Sequence, residues 1–254
     1  TTEGRFTPTP VSGLSTGVMA IAVGVGHTCA LTQAGAVLCW GYNRYGQLGD
    51  GTTQQRSTPT PSLVGAATFL TSADLHTCAI VVGGSLQCWG DNTFGQLGNG
   101  QTSTRNTPVA VGGIGGTITQ IVAGYSRTCG ITSNGTAHCW GSNESGQLGD
   151  GTTNGRHTPA PVSGLAGNTA AISIGAWHTC ALTQAGGVLC WGDNLDGQLG
   201  DGTGERRLSP TPVSGLGAGV TAISTGGNHT CALTQAGGVL CWGDNLYGQV
   251  GDGS

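Results

Sequence analysis

Residues 29–41 read CALTQAGAVLCWG, and this stretch decides the fold because it recurs along the chain. Its final Cys39-Trp40-Gly41 returns after 49 residues and then three times at intervals of 51, beginning at Cys88, Cys139, Cys190 and Cys241. A Thr-Cys pair precedes each copy, and a Gly-Gln-Leu-Gly or Gly-Gln-Val-Gly run follows it. A fixed period of this length is typical of propellers and other repeat architectures. The sequence therefore predicts one domain, residues 1–254, of five repeats of about 51 residues.

Each repeat contains segments typical of short β-strands. In the first repeat, alternating apolar and small residues predict strands at Ala20–Val25, Thr28–Thr32 and Ala36–Trp40. A fourth strand is predicted near Val11, after the prolines. Helical spacing is sustained nowhere. The chain is therefore predicted to be all-β.

The two middle strands of each repeat are predicted to form a hairpin. Cys29 and Cys39 are equidistant from Ala34, so a three-residue loop centred on Ala34 places the two cysteines opposite each other. Such loops favour glycine at their last position, where φ is positive. Every repeat has that glycine: Gly35, Gly84, Gly135, Gly186 and Gly237.

Four strands in each of five repeats predict a five-bladed β-propeller with four-stranded antiparallel blades. The chain ends on Gly251-Asp252-Gly253-Ser254, and internal copies of this motif continue into a segment that resembles Thr1–Pro8. We therefore expect the N-terminal segment to supply the outer strand of the last blade. Such pairing would close the ring and remove exposed sheet edges.

The ten cysteines form five equally spaced pairs, and the hairpin register favours a disulfide within each blade. The predicted bonds are Cys29–Cys39, Cys78–Cys88, Cys129–Cys139, Cys180–Cys190 and Cys231–Cys241. Reduced, buried cysteines are one alternative, and zinc is another, although each blade offers only two sulfurs. Disulfides at this density are typical of oxidising compartments. Together with a first residue that is not Met, they predict a secreted or cell-surface protein.

Composition excludes several function classes. Only 8% of residues are charged, Lys is absent and the formal net charge is −4, so we expect no nucleic-acid partner. No apolar run is long enough for a membrane helix, so no membrane insertion is expected. No nucleophile elbow, phosphate-binding loop or haem attachment motif appears. We expect neither enzymatic activity nor a cofactor.

The motif Gly-x-x-His-Thr-x-Ala-Leu-Thr, at Gly24–Thr32, is followed at Gly35–Gly49 by Gly-x-x-x-x-Trp-Gly-x-Asn-x-x-Gly-Gln-Leu-Gly. Together they resemble the repeat of the regulator of chromosome condensation family. That resemblance covers essentially the whole chain and implies a propeller, usually of seven blades. It does not imply one function, because members include nucleotide exchange factors, ultraviolet-B photoreceptors and secreted bacterial inhibitors of β-lactamases. With the cysteines, it suggests a secreted bacterial-type member.

Two rings of repeated side chains are expected to be structural. His27, His76, His178 and His229 occupy one repeat position, which Arg127 completes. A metal site is possible in principle, but a hydrogen bond from each blade to its neighbour is the simpler role, and we expect no metal. The repeat tryptophans are expected to anchor blade packing rather than to stack on sugars. They are Trp40, Trp89, Trp140, Trp191 and Trp242.

A third ring consists of arginines in the loop after Gly-Asp-Gly or its counterpart. Its members are Arg5, Arg56, Arg105, Arg156 and Arg207. A matching acidic ring contains Asp50, Asp150, Asp201 and Asp252, with Asn99 in the second repeat. These arginines could bind carboxylates or other oxyanions. The favoured alternative is an Arg–Asp or Arg–carbonyl brace inside each loop.

Binding specificity is expected where the repeats differ. The residues just before the histidine position vary, and Tyr125 and Trp177 are among them. The pair of residues that follows the Trp-Gly-x-Asn motif, Arg44-Tyr45 in the first repeat, also varies between repeats. Aromatic residues on loops of a rigid scaffold are typical contact residues. The candidates are Arg44, Tyr45, Phe94, Tyr125, Trp177 and Tyr247.

The sequence thus predicts a non-enzymatic extracellular interaction scaffold. Its propeller faces would bind a protein partner or further copies of the same chain, as a homo-oligomer or filament. A lectin with one glycan site per blade and a secreted enzyme inhibitor are the two alternatives.

Overall fold

The computed structural model describes residues 3–253. The β-strands in this range form five antiparallel sheets. In the first sheet, β1 (Val18–Val23), β2 (His27–Thr32), β3 (Val37–Gly41) and β4 (Arg56–Pro61) lie side by side in chain order. The first three strands occupy the segments that alternation of apolar and small residues predicts, with ends shifted by up to two residues. We refer to the five sheets, in chain order, as blades 1 to 5.

The remaining blades repeat this order. The strands of blades 2 and 3 are β5 (Ala67–Ser72), β6 (His76–Val81), β7 (Leu86–Gly90), β8 (Arg105–Ala110), β9 (Ile118–Gly124), β10 (Arg127–Thr132), β11 (Ala137–Gly141) and β12 (Arg156–Pro161). Blades 4 and 5 contain β13 (Thr169–Ile174), β14 (His178–Thr183), β15 (Val188–Gly192), β16 (Arg207–Pro212), β17 (Val220–Thr225), β18 (His229–Thr234) and β19 (Val239–Gly243).

The central hairpin has the predicted register. Cys29 lies opposite Cys39, and the loop glycine, Gly35, has a φ of 80°. All five predicted disulfides are present, each with a Cα–Cα distance of 4.1 Å. Each bond closes a loop of about 11 residues, for which the chain-entropy estimate is about 2–3 kcal/mol. The five bonds suggest an oxidising compartment.

The fourth strand differs from its prediction. It contains the prolines instead of following them, since β4 includes both Pro59 and Pro61. Proline cannot donate a backbone hydrogen bond, so within a sheet it is confined mainly to edge strands. This strand accordingly lies at the edge of the blade, where only β3 pairs with it.

The predicted closure by the N-terminal segment is not shown in the structure. Blade 5 has three strands, and residues 5–10 belong to no strand. The segment from Arg5 to Pro10 is exposed throughout and does not pair with β19, the strand that it was expected to extend. The predicted four-stranded blade is therefore observed in blades 1 to 4 only.

The hydrophobic core lies between successive blades. One cluster joins Leu31, Val37 and Leu48 of blade 1 to Leu70 and Trp89 of blade 2, and similar clusters join the following blades. The outer faces of the end blades have no such cover. Ile21 in β1 is 69% exposed, and Val239 in β19 is 65% exposed.

Between residues 3 and 253 we find no helix of the length and apolar character that a membrane span requires.

Candidate functional site

At one end of every blade, two variable loops are joined by a backbone hydrogen bond. The loop between the first and second strands accepts this bond from the turn after the third strand. In blade 1 the Tyr42 amide donates to the Gly26 carbonyl at 2.7 Å, and in blade 4 the Asp193 amide donates to the Trp177 carbonyl at 2.9 Å. Blades 2, 3 and 5 have the same bond. We call this end of the blades the variable-loop face.

A buried asparagine fixes the turn on the variable-loop face. In blade 1 the Asn43 side chain donates to the carbonyls of Thr52 and Gln54 and accepts a bond from the Leu48 amide. Gln47 Oε1 accepts a bond from the amide of Tyr45, which belongs to the variable pair. Side chains in this pair can therefore change while the backbone that carries them stays fixed.

A concavity of about 350 Å³ opens on the variable-loop face across blades 2, 3 and 4. Asp74 and Phe94 of blade 2, Tyr125 and Glu144 of blade 3, and Trp177 of blade 4 line most of it. The structure thus brings together three of the six loop residues that the sequence predicts as contacts. Ser126, Ser142 and Ala176 complete the lining.

A second concavity, of about 400 Å³, lies beside the first and shares Trp177 with it. Asp193, Leu195 and Asp196 of blade 4 line this concavity together with Ser145 and Asn228. Asn228 donates to the Asp196 carboxylate at 3.1 Å, a contact between blades 5 and 4. The two concavities form one groove across blades 2 to 5.

The other predicted loop residues lie elsewhere. Arg44 is exposed, and Tyr45 is half-buried with its ring edge-on to Tyr42 at a centroid distance of 6.3 Å. Tyr247, in blade 5, is 87% exposed. None of Arg44, Tyr45 and Tyr247 lines either concavity.

Tyr125 lies at the tip of a turn that the sequence pattern does not predict. Gly124 pairs with Arg127, which leaves Tyr125 and Ser126 as a two-residue loop. Their φ angles are 40° and 61°, and among residues 3–253 they alone combine a positive φ with a side chain. Positive φ at both central positions defines a type I′ turn, which usually carries Asn-Gly. Strain of this kind persists where the surrounding structure imposes it, and it is common at binding sites.

Arg127 follows that turn and anchors it to blade 4. Its side chain is fully buried, and its terminal nitrogens donate to the carbonyls of Gly175, Ala176 and His178 in blade 4 at 2.6–2.9 Å. Burial lowers the pKa of Arg127 to about 9, while nearby Tyr125 and Asp74 act in the opposite direction. Burial also raises the pKa of Asp74, against the opposing effect of Arg127. Arg127 thus supports the floor of the site and stays charged at neutral pH.

Three of the four ring histidines make the predicted hydrogen bond to the next blade. His27 Nε2 lies 2.8 Å from Thr77 Oγ1 of blade 2, and that hydroxyl donates to the Gln47 carbonyl. Because the hydroxyl has one proton, the imidazole must be the donor. His76 and His178 make the same bond to Thr128 and Thr230.

Burial lowers the pKa of His27 and His76 to about 4 and that of His178 to about 3, so all three are neutral at pH 7. Each imidazole bonds to a different neighbouring blade. Within residues 3–253, no three His, Cys, Asp or Glu side chains converge as metal ligands would.

The repeat tryptophans are mainly structural as well. Trp89, Trp140 and Trp191 are completely buried, and each indole donates to the backbone carbonyl of a glutamine in the preceding blade at 2.9 Å. Trp242 makes the same bond to the Gln198 carbonyl. Buried indole rings have no face open to a sugar, so they do not support one glycan site per blade.

Three members of the arginine ring brace their own loops. Arg56, Arg156 and Arg207 form ion pairs with Asp50, Asp150 and Asp201, each at 2.7 Å. Arg105 donates instead to the Gln101 side chain. Arg5 lies in the N-terminal segment outside the sheets.

Burial alone would raise the pKa of Asp201, but hydrogen bonds from Thr203 and Arg207 outweigh it and lower this pKa to about 2. The carboxylate is therefore ionised whenever the loop is folded near neutral pH. The Arg–Asp brace predicted as the favoured alternative is present in these three blades.

Comparison with known proteins identifies the family. Residues 1–254 match the RCC1-like domain. The chain belongs to the RCC1-like domain family. The Arabidopsis thaliana ultraviolet-B receptor UVR8 is 34% identical over 255 residues, which are 99% of this chain and 47% of the receptor. The human E3 ubiquitin-protein ligase HERC2 is 34% identical over 239 residues, which are 93% of this chain and 4% of the ligase.

Solved structures of the RCC1-like family have the same blades. Yeast RCC1 (Prp20) bound to Kap60 superposes on 89% of this chain with a TM-score of 0.76 and 25% identity. The aligned part is 56% of the yeast chain. The present chain thus spans about half the length of UVR8 and of the yeast protein. The five sheets correspond to propeller blades of this family.

Proposed function

We propose that this RCC1-like domain is a non-enzymatic scaffold that binds a protein partner through the groove on its variable-loop face. One observation carries the proposal: Tyr125 and Trp177, which no other repeat has at these positions, meet over a concavity that repeated backbone bonds hold in place. Exposed aromatic side chains on rigid loops are typical of protein contacts. The related yeast protein was solved in complex with another protein, Kap60, which supports binding as a use of this fold.

We place this activity outside the cytosol, in a secreted or cell-surface protein. Five disulfides among residues 3–253 support that location, since reducing compartments rarely maintain such bonds. A bacterial source for the chain stays a prediction, as do self-assembly into an oligomer or filament and an inhibitory role. No specific contact favours glycan binding, because three of the five repeat indoles are completely buried.

Selection of binders from a displayed peptide library tests the proposed face. Binders selected against the unaltered domain should lose affinity for Tyr125→Ser and Trp177→Ser, by about tenfold for a central aromatic contact. Val82→Ser is the matched control, because Val82 is exposed at the opposite end of blade 2. The proposal fails if selected binders do not distinguish the two groove variants from this control.

We also propose that residues 5–10 form the missing outer strand of blade 5. Arg5 would lie opposite Gly243, as Arg207 lies opposite Gly192 in blade 4. Two local hydrogen bonds support the assignment. Thr9 Oγ1 donates to the Thr7 carbonyl as Thr60 does to that of Thr58, and the Leu14 amide donates to the Val11 carbonyl as Leu216 does to that of Val213.

An incomplete ladder between blades gives the same assignment. In three blades a loop glycine donates its amide proton to the outer strand of the next blade: Gly51 to Asn106, Gly100 to His157 and Gly151 to Leu208. Each acceptor carbonyl belongs to the residue that follows the first arginine of that strand. The equivalent Gly202 amide has no such acceptor among residues 3–253. In the proposed strand its acceptor would be the carbonyl of Phe6, the residue after Arg5. Hydrogen exchange tests the pairing: with residues 5–10 in place, the β19 amides should exchange as slowly as those of β15. Fast exchange confined to β19 would refute the assignment.

A further inference from the structure

The concavity across blades 2, 3 and 4 on the variable-loop face combines open aromatic rings with carboxylates. Phe94, Tyr125 and Trp177 are 42%, 43% and 47% exposed, so part of each ring is accessible. The faces of aromatic rings carry partial negative charge and attract cations. Asp74 and Glu144 line the same concavity. Aromatic and acidic groups therefore favour the same kind of ligand, a positively charged one.

The two carboxylates of this concavity make no direct bond to another described residue, although the Asp74 carboxylate lies within the field of buried Arg127. Neither the Asp74 nor the Glu144 carboxylate accepts a hydrogen bond or pairs with a cation between residues 3 and 253. In the neighbouring concavity, by contrast, Asp193 accepts a bond from Gln198 and Asp196 accepts one from Asn228. The concavity across blades 2, 3 and 4 is thus the one whose acidic groups remain open to an external donor.

Cationic side chains near the concavity are already engaged. Arg127 is buried, and its terminal nitrogens donate to three carbonyls of blade 4. Arg206 donates to the backbone carbonyl of Glu144 at 3.2 Å, not to its carboxylate. No Arg or His is among the described residues that line either concavity. Four carboxylates line the groove, against two nearby arginines, so its net charge is negative.

Blade 1 shows that this chemistry is not a general property of the repeat. At the positions of Tyr125 and Glu144, blade 1 has Val25 and Arg44. An arginine there would repel a cation instead of attracting it. The combination of rings and open carboxylates is confined to the region where blades 2, 3 and 4 meet.

We infer that this concavity binds an arginine side chain on a basic segment of the protein partner. A guanidinium group is planar, stacks on aromatic faces and donates paired hydrogen bonds to a carboxylate, so it uses both kinds of group present. A lysine ammonium is a point charge and uses the rings and carboxylates less completely. The inference rests on the proposed function and names the chemistry of its partner.

Fluorescence anisotropy with labelled peptides of six Arg, six Lys or six Glu residues, at 0.15 M salt, tests the inference. The domain should bind the Arg peptide more tightly than the Lys peptide and should not bind the Glu peptide. Trp177→Ala and the double variant Asp74→Asn, Glu144→Gln should each weaken Arg-peptide binding about tenfold. Circular dichroism verifies that each variant is folded.

A matched charge variant separates the site from general electrostatic attraction. Glu3→Gln removes one exposed negative charge from the N-terminal segment, which lines neither concavity, and should change Arg-peptide binding less than about twofold. Equal losses in Glu3→Gln and the groove variants, equal affinity for the Arg and Lys peptides, or no binding would overturn the inference. If library binders still depend on Tyr125 and Trp177 in that case, the binding face stands and only the arginine assignment is wrong.

Discussion

The hydroxyl of Thr230, in blade 5, bonds to two groups of blade 4, the His178 imidazole and the Gln198 carbonyl. It accepts the Nε2 proton of His178 at 2.9 Å and donates its own proton to the Gln198 carbonyl at 3.0 Å. All three atoms lie in the buried interface between blades 4 and 5, where water cannot replace a lost partner. The same arrangement at Thr77 and Thr128 makes this hydroxyl a repeated connection between blades.

Thr230→Val should therefore reduce the free energy of unfolding by about 1–3 kcal/mol, because it leaves the buried His178 donor unsatisfied. The Gln198 carbonyl also loses one of the two hydrogen bonds that it accepts and keeps the one from Trp242. Equilibrium denaturation in urea measures the change. Thr53→Val makes the same substitution at an exposed position and should change stability by less than about 0.5 kcal/mol. Similar losses in both variants would show that the buried hydroxyl has no special role.

At the scale of the strand and its turn, glycine positions differ in what surrounds them. Gly186 and Gly215 have φ angles of 79° and 76°, so both favour glycine. A Cβ on Gly186 would lie 3.0 Å from the Gly219 nitrogen and 3.1 Å from the Val220 oxygen, both backbone atoms of the next blade. A Cβ on Gly215 would meet nothing within 4 Å.

Gly215→Ala should cost about 1 kcal/mol, the conformational penalty alone. Gly186→Ala should cost more, because the backbone of blade 5 must also move away from the added methyl group. Thermal unfolding of the two variants under identical conditions gives the comparison. Equal destabilisation would mean that the hairpin loop does not contact the next blade.

Each hairpin should contain its own disulfide, with no bond between different hairpins. Non-reducing peptide mapping should find one bond within each blade and an intact mass lower by two hydrogens for every bond. The reason is the register, which places the two cysteines of each hairpin opposite each other. A bond between different blades, or free thiols in protein from an oxidising compartment, would contradict this register.

The hairpin could be predicted from the sequence, whereas the outer strand and one turn could not. Cysteine spacing and a loop glycine together determine a local register. The strand Arg56–Pro61 contains two prolines, so its pattern indicates a loop until its position at the edge is known. The turn at Tyr125 and Ser126 has positive φ angles without the usual Asn-Gly. The same two-residue loop in the other blades lacks positive φ, so no local pattern predicts this turn.

At the scale of the whole molecule, neutral histidines connect several blade interfaces and determine the response to acid. The pKa of His27 and His76 is about 4 and that of His178 about 3, against an ordinary value of about 6.5. Between about pH 6.5 and pH 4 the unfolded chain binds protons at these positions and the folded chain does not. Acid therefore favours unfolding in this range.

Stability should be greatest above pH 6.5 and should fall as the pH is lowered towards 4, by on the order of 1–2 kcal/mol per buried histidine. Urea denaturation at pH 7.5 and pH 5 measures this loss. His178→Gln, which cannot take up a proton, should be less stable at pH 7.5 but lose less between the two pH values. An unchanged pH response in this variant would show that His178 does not titrate as described.

The sequence predicts the variable loops better than it predicts which of their side chains lie together. Differences between repeats indicate Phe94, Tyr125 and Trp177, which line one concavity in the structure. They also indicate Arg44, Tyr45 and Tyr247, which lie away from the groove. Which variable residues meet depends on how neighbouring blades are placed, and that is a property of the assembled domain.

The amide-to-carbonyl bond between the two loops of every blade separates recognition from folding. This bond uses main-chain atoms only, so it forms with Tyr42 and Gly26 in one blade and with Asp193 and Trp177 in another. Natural variation can therefore exchange the side chains on these loops, one repeat at a time, without disturbing the core beneath. Duplicated repeats of this kind give evolution, and protein engineers, a series of interchangeable recognition elements on a constant frame.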